Sequence, residues 1–162
     1  MRRRVNKEEF LTAATVAARE ASRTSHLLAG ITVAQAALES GWGSSELSTS
    51  AFNFFGIKAR AGRDWIEMRT QECRRGMAVH ARARFAKYSS MQECFEDRDR
   101  MILQLPVYAE ARSVAADPEQ FIRALAQHWA TDPHYAEKVL QVYHTNGLDM
   151  LDSAPAEVPI VP

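Results

Sequence analysis

Apolar side chains change their spacing twice along this chain, and no fold built from one kind of secondary structure accommodates that. Before residue 55 and after residue 90 they recur every three or four positions, the period of an amphipathic helix, and between those points they alternate. Alternation is clearest where Val79, Ala81, Ala83 and Phe85 interleave with His80, Arg82 and Arg84. On the helical side, Asn6 with Glu9 has the form of a capping box ahead of Phe10, Ala13, Ala14 and Ala17, which predicts a first helix from about Lys7 to Arg23. Thr32 with Gln35, behind Gly30, predicts the start of a short buried helix that carries Ile31, Ala34, Ala37 and Leu38 and stops at Gly41. Ile57 to Ala59, Trp65 to Thr70 and Met77 to Phe85 read as three short strands, separated by turns at 61–64 and 74–76, in an antiparallel meander. Ser90 with Glu93 restarts helix as far as Pro106, Asp117-Pro118 and Asp132-Pro133 each head another, and Asn146-Gly147 closes the last. The expected product is a mainly helical α+β domain over residues 1–152, with a small antiparallel β-lobe at about 55–88 and an irregular Pro-rich tail at 153–162.

Charge and composition narrow the functions open to such a domain. Twenty basic side chains balance twenty acidic ones, so there is no overall field to hold a polyanion, and nucleic acid is not an expected partner. The balance is local rather than uniform: residues 57–88 carry 9 basic and 3 acidic groups, residues 89–162 carry 5 and 12. No run of 18 apolar residues occurs, which argues against membrane insertion, and Asn6 to Glu9 stand where the apolar stretch of a signal peptide would lie. Cys73 and Cys94 have neither zinc nor Cys-x-x-Cys spacing, and free thiols are the default reading. His26, His80, His128, His134 and His144 form no pair with ligand spacing, and no Gly-rich phosphate loop or Gly-x-Ser-x-Gly elbow is present, so neither metal nor cofactor is expected.

The most informative stretch is Gln35-Ala-Ala-Leu-Glu39-Ser-Gly-Trp-Gly43. Glu39 stands where a helix stops and the backbone opens, a setting in which partial desolvation raises a carboxyl's pKa and fits it to act as a general acid. Trp42 offers a flat apolar face on which a sugar ring can stack. Ala37-Leu-Glu39-Ser-Gly-Trp-Gly43, Asn53-Phe-Phe-Gly-Ile-Lys58, Phe85-Ala-Lys-Tyr-Ser-Ser90 and Ala130-Thr-Asp-Pro-His-Tyr-Ala136 follow one another in this order. Together they resemble the glycoside hydrolase family 73 endo-β-N-acetylglucosaminidases, which cleave peptidoglycan. The resemblance implies a lysozyme-like fold with two lobes flanking a cleft, with Glu39 in the place of the family's general acid. It also implies a second carboxylate on the β-lobe, Glu72 in Thr70-Gln-Glu-Cys73, with Glu67 as its competitor; a substrate-assisted route through the sugar's acetamido group would need neither.

The chain departs from the family where Gly-Tyr-Ala-Thr-Asp-Pro is usual and His128-Trp-Ala-Thr-Asp-Pro133 stands instead. Trp129 keeps an aromatic wall but offers only an indole N–H in place of a phenol. Tyr135 reads equally as helix packing or cleft lining, and Asn53 as a ligand of the sugar N-acetyl group or the brace of a turn. Phe52, Phe54 and Phe55 read as core. Two other readings stay open: a lytic transglycosylase, although Asn53-Phe-Phe-Gly-Ile-Lys58 replaces the segment usual there, and a catalytically weak peptidoglycan-binding module. The expected setting is a cell wall or periplasm, reached as an injected antibacterial effector with an immunity protein plugging its cleft, or as a phage lysin. A Cys73–Cys94 bridge would restrain the loop carrying Glu72, and a small buried apolar role for Cys94 is the competing reading.

Overall fold

In a computed structural model, which describes residues 6–153 apart from the side chains of 72–74, the chain forms seven α-helices, two short 3₁₀ turns and one two-stranded sheet among those residues. The Pro-rich tail lies outside them but for Ser153. Helix α1 (Lys7–Ser25) is capped as its sequence foretells, Asn6 Oδ1 accepting from the Glu8 N–H. Helix α2 (Ala29–Ser40) follows; every residue from Ala29 to Ala37 is buried, and it packs against α1, α7 (Tyr135–Thr145) and the last 3₁₀ turn (Leu148–Leu151). A helix covered on all sides needs small and apolar residues all round, and Ala34, Ala36 and Ala37 of α2, like Ala14, Ala17 and Ala18 of α1, supply them in the shared core.

The start of α2 differs from expectation. It begins at Ala29 with no side-chain cap of its own, and the Asp152 carboxylate arrives from the far end of the chain to accept from the N–H groups of Gly30 (2.7 Å) and Ile31 (3.3 Å). Thr32 and Gln35 are not a capping box: both are buried beneath the surface and bond Arg98. Gly30 is obligatory here, since a Cβ would stand 2.2 Å from the Leu148 carbonyl oxygen.

Of the three expected strands two form. β1 (Trp65–Arg74) and β2 (Met77–Ala86) pair antiparallel across Arg75-Gly76, both with positive φ as a two-residue turn of this hand requires. The segment at Ile57 to Ala59 contributes a single bridge, Lys58 to Phe85, because the chain turns away at 60–63, where the Arg63 N–H reaches the Arg60 carbonyl. Alternation holds along the hairpin: Val79, Ala81 and Ala83 are partly covered and Phe85 is buried, whereas His80, Arg82 and Arg84 are exposed.

Beyond the sheet, α4 (Met91–Gln104) is capped by Ser90, which accepts from the Glu93 N–H, while the Glu93 carboxylate reaches back to Ser89. α6 (Pro118–Trp129) starts on Asp117-Pro118 as expected. α7 does not start on Asp132-Pro133; Asp132 closes a turn on the His134 N–H instead, and the helix begins at Tyr135. Two short helices, α3 (Glu46–Ala51) and α5 (Ala109–Ser113), have no counterpart in the sequence reading. Phe54 and Phe55 enter the core with Phe10 and Phe95, but Phe52 caps α3 in the left-handed region and is 45% exposed, so it is not core. Cys94 is a free thiol, fully buried, with the Phe54 N–H directed at its sulfur, which is the apolar reading rather than a bridge.

Candidate active site

Glu39 occupies the last turn of α2, and the residues after it hold that turn in place. The backbone stays left-handed through Gly41, Trp42 and Gly43, and the buried Ser40 hydroxyl donates to the Ala36 carbonyl (2.6 Å) while accepting from the Gly43 N–H (2.8 Å). Gly43 cannot be larger without cost, because its φ is +76° and a Cβ would press on the Phe10 ring at 3.0 Å. The segment Glu-Ser-Gly-Trp-Gly is thus a helix stop that aims one carboxylate.

That carboxylate lines a cleft of about 470 Å³ together with Phe55, Gly56, Ile57, Lys58, Arg60, Met101, Tyr108 and Trp129. The Trp129 indole N–H donates to both of its oxygens, at 3.2 and 3.4 Å. Tyr135 reaches toward the same carboxylate closely enough to favour its charged form, yet its buried hydroxyl stands outside hydrogen-bonding geometry with any described residue, as does Gln35 Nε2. Burial dominates: it pushes the Glu39 pKa up to about 8 against the opposing pull of Trp129, Tyr135 and the Arg98 charge. Burial, and then the charge of Glu39, likewise push the Tyr135 and Tyr108 phenols above their ordinary range. At neutral pH Glu39 therefore holds its proton in a cleft open to a ligand.

The network beneath this site escaped the sequence reading. Arg98 is fully buried, donates to Gln35 Oε1 (2.7 Å), Thr32 Oγ1 (2.8 Å) and Asp99 (2.8 Å), and lies over the rings of Phe55 and Phe121. Gln35 is one helical turn before Glu39, so the buried cation is fixed under the acid. A signal was available: Arg98 falls on the α4 stripe with Phe95 and Ile102, where a surface cation has no place. Tyr108, Lys58 and Met101 line the cleft without having been singled out.

Of the residues expected at the site, the fold brings Trp129 and Tyr135 to Glu39. Trp42 instead packs edge-on to Phe10 (5.9 Å) beneath Lys7 Nζ (4.3 Å) and is absent from the cleft lining. Asn53 is 1% exposed; its Nδ2 donates to the carbonyls of Ile57 and Ala86 and its Oδ1 accepts from the N–H groups of Phe55 and Ile57, so it braces the junction between helices and hairpin rather than offering an amide to a ligand. Glu67 is half-exposed and paired with Arg82 on the hairpin. Glu72 stands in β1 opposite Val79, and its side chain lies outside the described residues. Among the described residues no group of three His, Cys, Asp or Glu side chains could hold a metal ion.

Comparison with known proteins agrees with this architecture. The chain is 34% identical over 132 residues to the exo-glucosaminidase LytG of Bacillus subtilis, covering 78% of this chain and 47% of that protein. The catalytic domain of the autolysin Auto from Listeria monocytogenes superposes with a TM-score of 0.81 at 28% identity, covering 93% of this chain and 90% of the other. A glycoside hydrolase domain of Salmonella typhimurium FlgJ gives a TM-score of 0.71 at 36% identity, covering 88% and 98%. The chain spans about half the length, or less, of the curated relatives it matches. The family model for glucosaminidases, described as mannosyl-glycoprotein endo-beta-N-acetylglucosaminidase, matches residues 15–148. With that match over most of its length, and a glutamate lining its cleft, the chain belongs to the glucosaminidase family of glycoside hydrolases.

Proposed function

We propose that this protein is a peptidoglycan hydrolase that cleaves the β-1,4 bond between N-acetylglucosamine and N-acetylmuramic acid, with Glu39 as general acid. The observation that carries this reading is the carboxyl of Glu39, raised to about 8 and open to a cleft of about 470 Å³. A proton held there at neutral pH can be passed to the leaving glycosidic oxygen, and the Trp129 N–H steadies the carboxylate left behind. The relatives named peptidoglycan hydrolase and autolysin support the choice of glycan. Trp129 is an aromatic wall of the site, Tyr135 is buried beside Glu39, and Trp42 and Asn53 act on the site by holding its frame.

Glu72 is the candidate for the group that activates water or stabilises the oxocarbenium-like transition state. If it is a base, Glu72→Gln reduces the rate nearly as far as Glu39→Gln and the first-formed product has inverted anomeric configuration by proton NMR. A loss below about tenfold with retention assigns the role to the substrate's acetamido group. Clearing of a peptidoglycan zymogram that vanishes in Glu39→Gln supports the central claim; unchanged clearing defeats it. Products with reducing ends distinguish hydrolysis from transglycosylation, and glycan retention without clearing would mark a binding module. The setting we infer is the periplasm or cell wall of a target bacterium, reached as a delivered effector or a phage lysin, with an immunity protein as the cleft's protein partner in the former case. Lysis of a host that expresses the domain in its periplasm, and none from cytoplasmic expression, is the expected result.

A further inference from the structure

We propose that the three arginines gathered around Asp97 at the rim of the Glu39 cleft bind a carboxylate carried by the glycan substrate; the inference rests on the peptidoglycan reading and deepens it. Asp97 projects from α4 with its side chain 1% exposed, and the Tyr88 hydroxyl donates to its Oδ2 (2.6 Å). Its Oδ1 faces Arg60 at 2.5 Å, Arg100 at 3.5 Å and Arg63 at 3.6 Å. Only Arg60 makes a hydrogen bond to it; the other two guanidinium groups stand at ion-pair distance, beyond good hydrogen-bond geometry. Burial works to raise the Asp97 carboxyl, and Tyr88, Arg60 and Arg63 outweigh it, so it stays charged.

One buried anion is thus shared by three cations, each between a third and a half exposed. Among the described residues no other carboxylate stands at ion-pair distance from these three arginines. Glu93 is engaged by Ser89 and acts on Arg63 only through space, Glu96 accepts from Gln92, and Asp99 is taken by Arg98 and Ser25. A brace between the 58–64 segment and α4 would need one arginine. The three like charges repel each other at close range, a second anion between them relieves that repulsion, and with Asp97 they line a cavity of about 230 Å³ whose remaining walls are Met101, Gln104 and Leu105. Arg60 and Met101 also line the cleft of Glu39, so the two spaces adjoin. A glycan lying in that cleft presents the cavity with whatever acidic substituent its sugars carry: in peptidoglycan, the lactyl carboxylate of a bare muramic acid or the carboxylates of an attached peptide. The mixture of guanidinium and methylene groups suits either, by charge-assisted hydrogen bonds to the oxygens and apolar contact with the rest.

The test is steady-state kinetics of R63Q/R100Q, in which Arg60 still holds Asp97, on three substrates: glycan strands with peptides attached, strands stripped to the lactyl carboxylate, and strands with every carboxylate methyl-esterified. The expected result is a rise in KM of about fivefold to twentyfold on a carboxylate-bearing substrate, kcat within about twofold, and equal behaviour of variant and wild type on the ester. A rise confined to the first substrate assigns the site to the peptide, and a rise on the second assigns it to the lactyl group. R63K/R100K, which keeps the charge, restores most of the loss, and unchanged melting of both variants excludes a folding effect. Equal losses on all three substrates, or none on any, overturn the inference while leaving the proposed function standing. Failure of the wild type to cleave any of the three overturns both.

Discussion

Glu39 sets the behaviour of the site at the scale of single residues. Its pKa is raised from 4.5 to about 8 by burial, so between those limits the folded protein holds a proton that the unfolded chain has lost. Stability falls as pH rises through that window and the penalty is complete above about 8. Glu39→Gln removes it: the variant is expected to lose about 10²- to 10⁴-fold in kcat and to gain about 1–3 kcal/mol over wild type at pH 8.5, the difference vanishing near pH 4. Thermal melts at the two pH values, beside the activity assay, check both halves. As the proposed general acid Glu39 must be protonated, so kcat/KM is expected to decline as pH rises through about 8. The Trp129 N–H favours the charged form, so Trp129→Phe moves that decline to higher pH and lowers the rate; a pH–rate profile that does not move removes the indole from the proton chemistry.

Among the elements, α2 bears the most consequence, since it is the shaft on which Glu39 is mounted. Its first turn carries no acidic residue and no local cap, and the Asp152 carboxylate serves instead, held also by the Tyr143 hydroxyl at 2.9 Å. Asp152→Ala is expected to cost about 1–2 kcal/mol, the usual loss for removing a cap. Gly30→Ala is expected to cost about 1–3 kcal/mol by forcing the Leu148 carbonyl away from the helix. Denaturant unfolding measures both. A gain in stability in Gly30→Ala, as an unhindered helical glycine gives, would mean that the last 3₁₀ turn yields freely.

Across the whole molecule, Arg98 ties together pieces that lie far apart in sequence: Thr32 and Gln35 of α2, and Asp99, which in turn accepts from Ser25 of α1 at 2.6 Å. Arg98→Met fits the volume but leaves Asp99 and the Gln35 carbonyl buried with one partner fewer, and a loss of about 3–5 kcal/mol is expected. Replacing both Arg98 and Asp99 by apolar residues should recover part of it, which a double-mutant cycle by chemical denaturation would resolve. The hairpin contributes little to this core. Its strands pair with each other and, among the described residues, are buried only at Phe85 and Ala86, so changes near Gly76 are expected to leave melting almost unaltered.

Where each element lies was legible in the chain wherever the deciding interactions were local. Asn6, Ser90 and Asp117 cap the helices they precede, the alternation at 79–85 faces as the period demands, and Gly41 stops α2 two residues past Glu39, because caps, turns and periods act over four residues or fewer. Glu39 itself was legible as an acid at a helix end. Its environment was not. Trp129 reaches it from 90 residues away, Asp152 caps Gly30 across 122, and Arg98 bonds Gln35 across 63. For the same reason Thr32 and Gln35 looked like a cap and proved to be ligands of a buried cation, while Asn53, open to two readings, makes the hydrogen bonds of a brace and Trp42 packs on Phe10 outside the cleft lining. Local sequence can nominate a carboxyl; only tertiary packing removes water from it, and it is that removal that holds the proton on Glu39 at neutral pH.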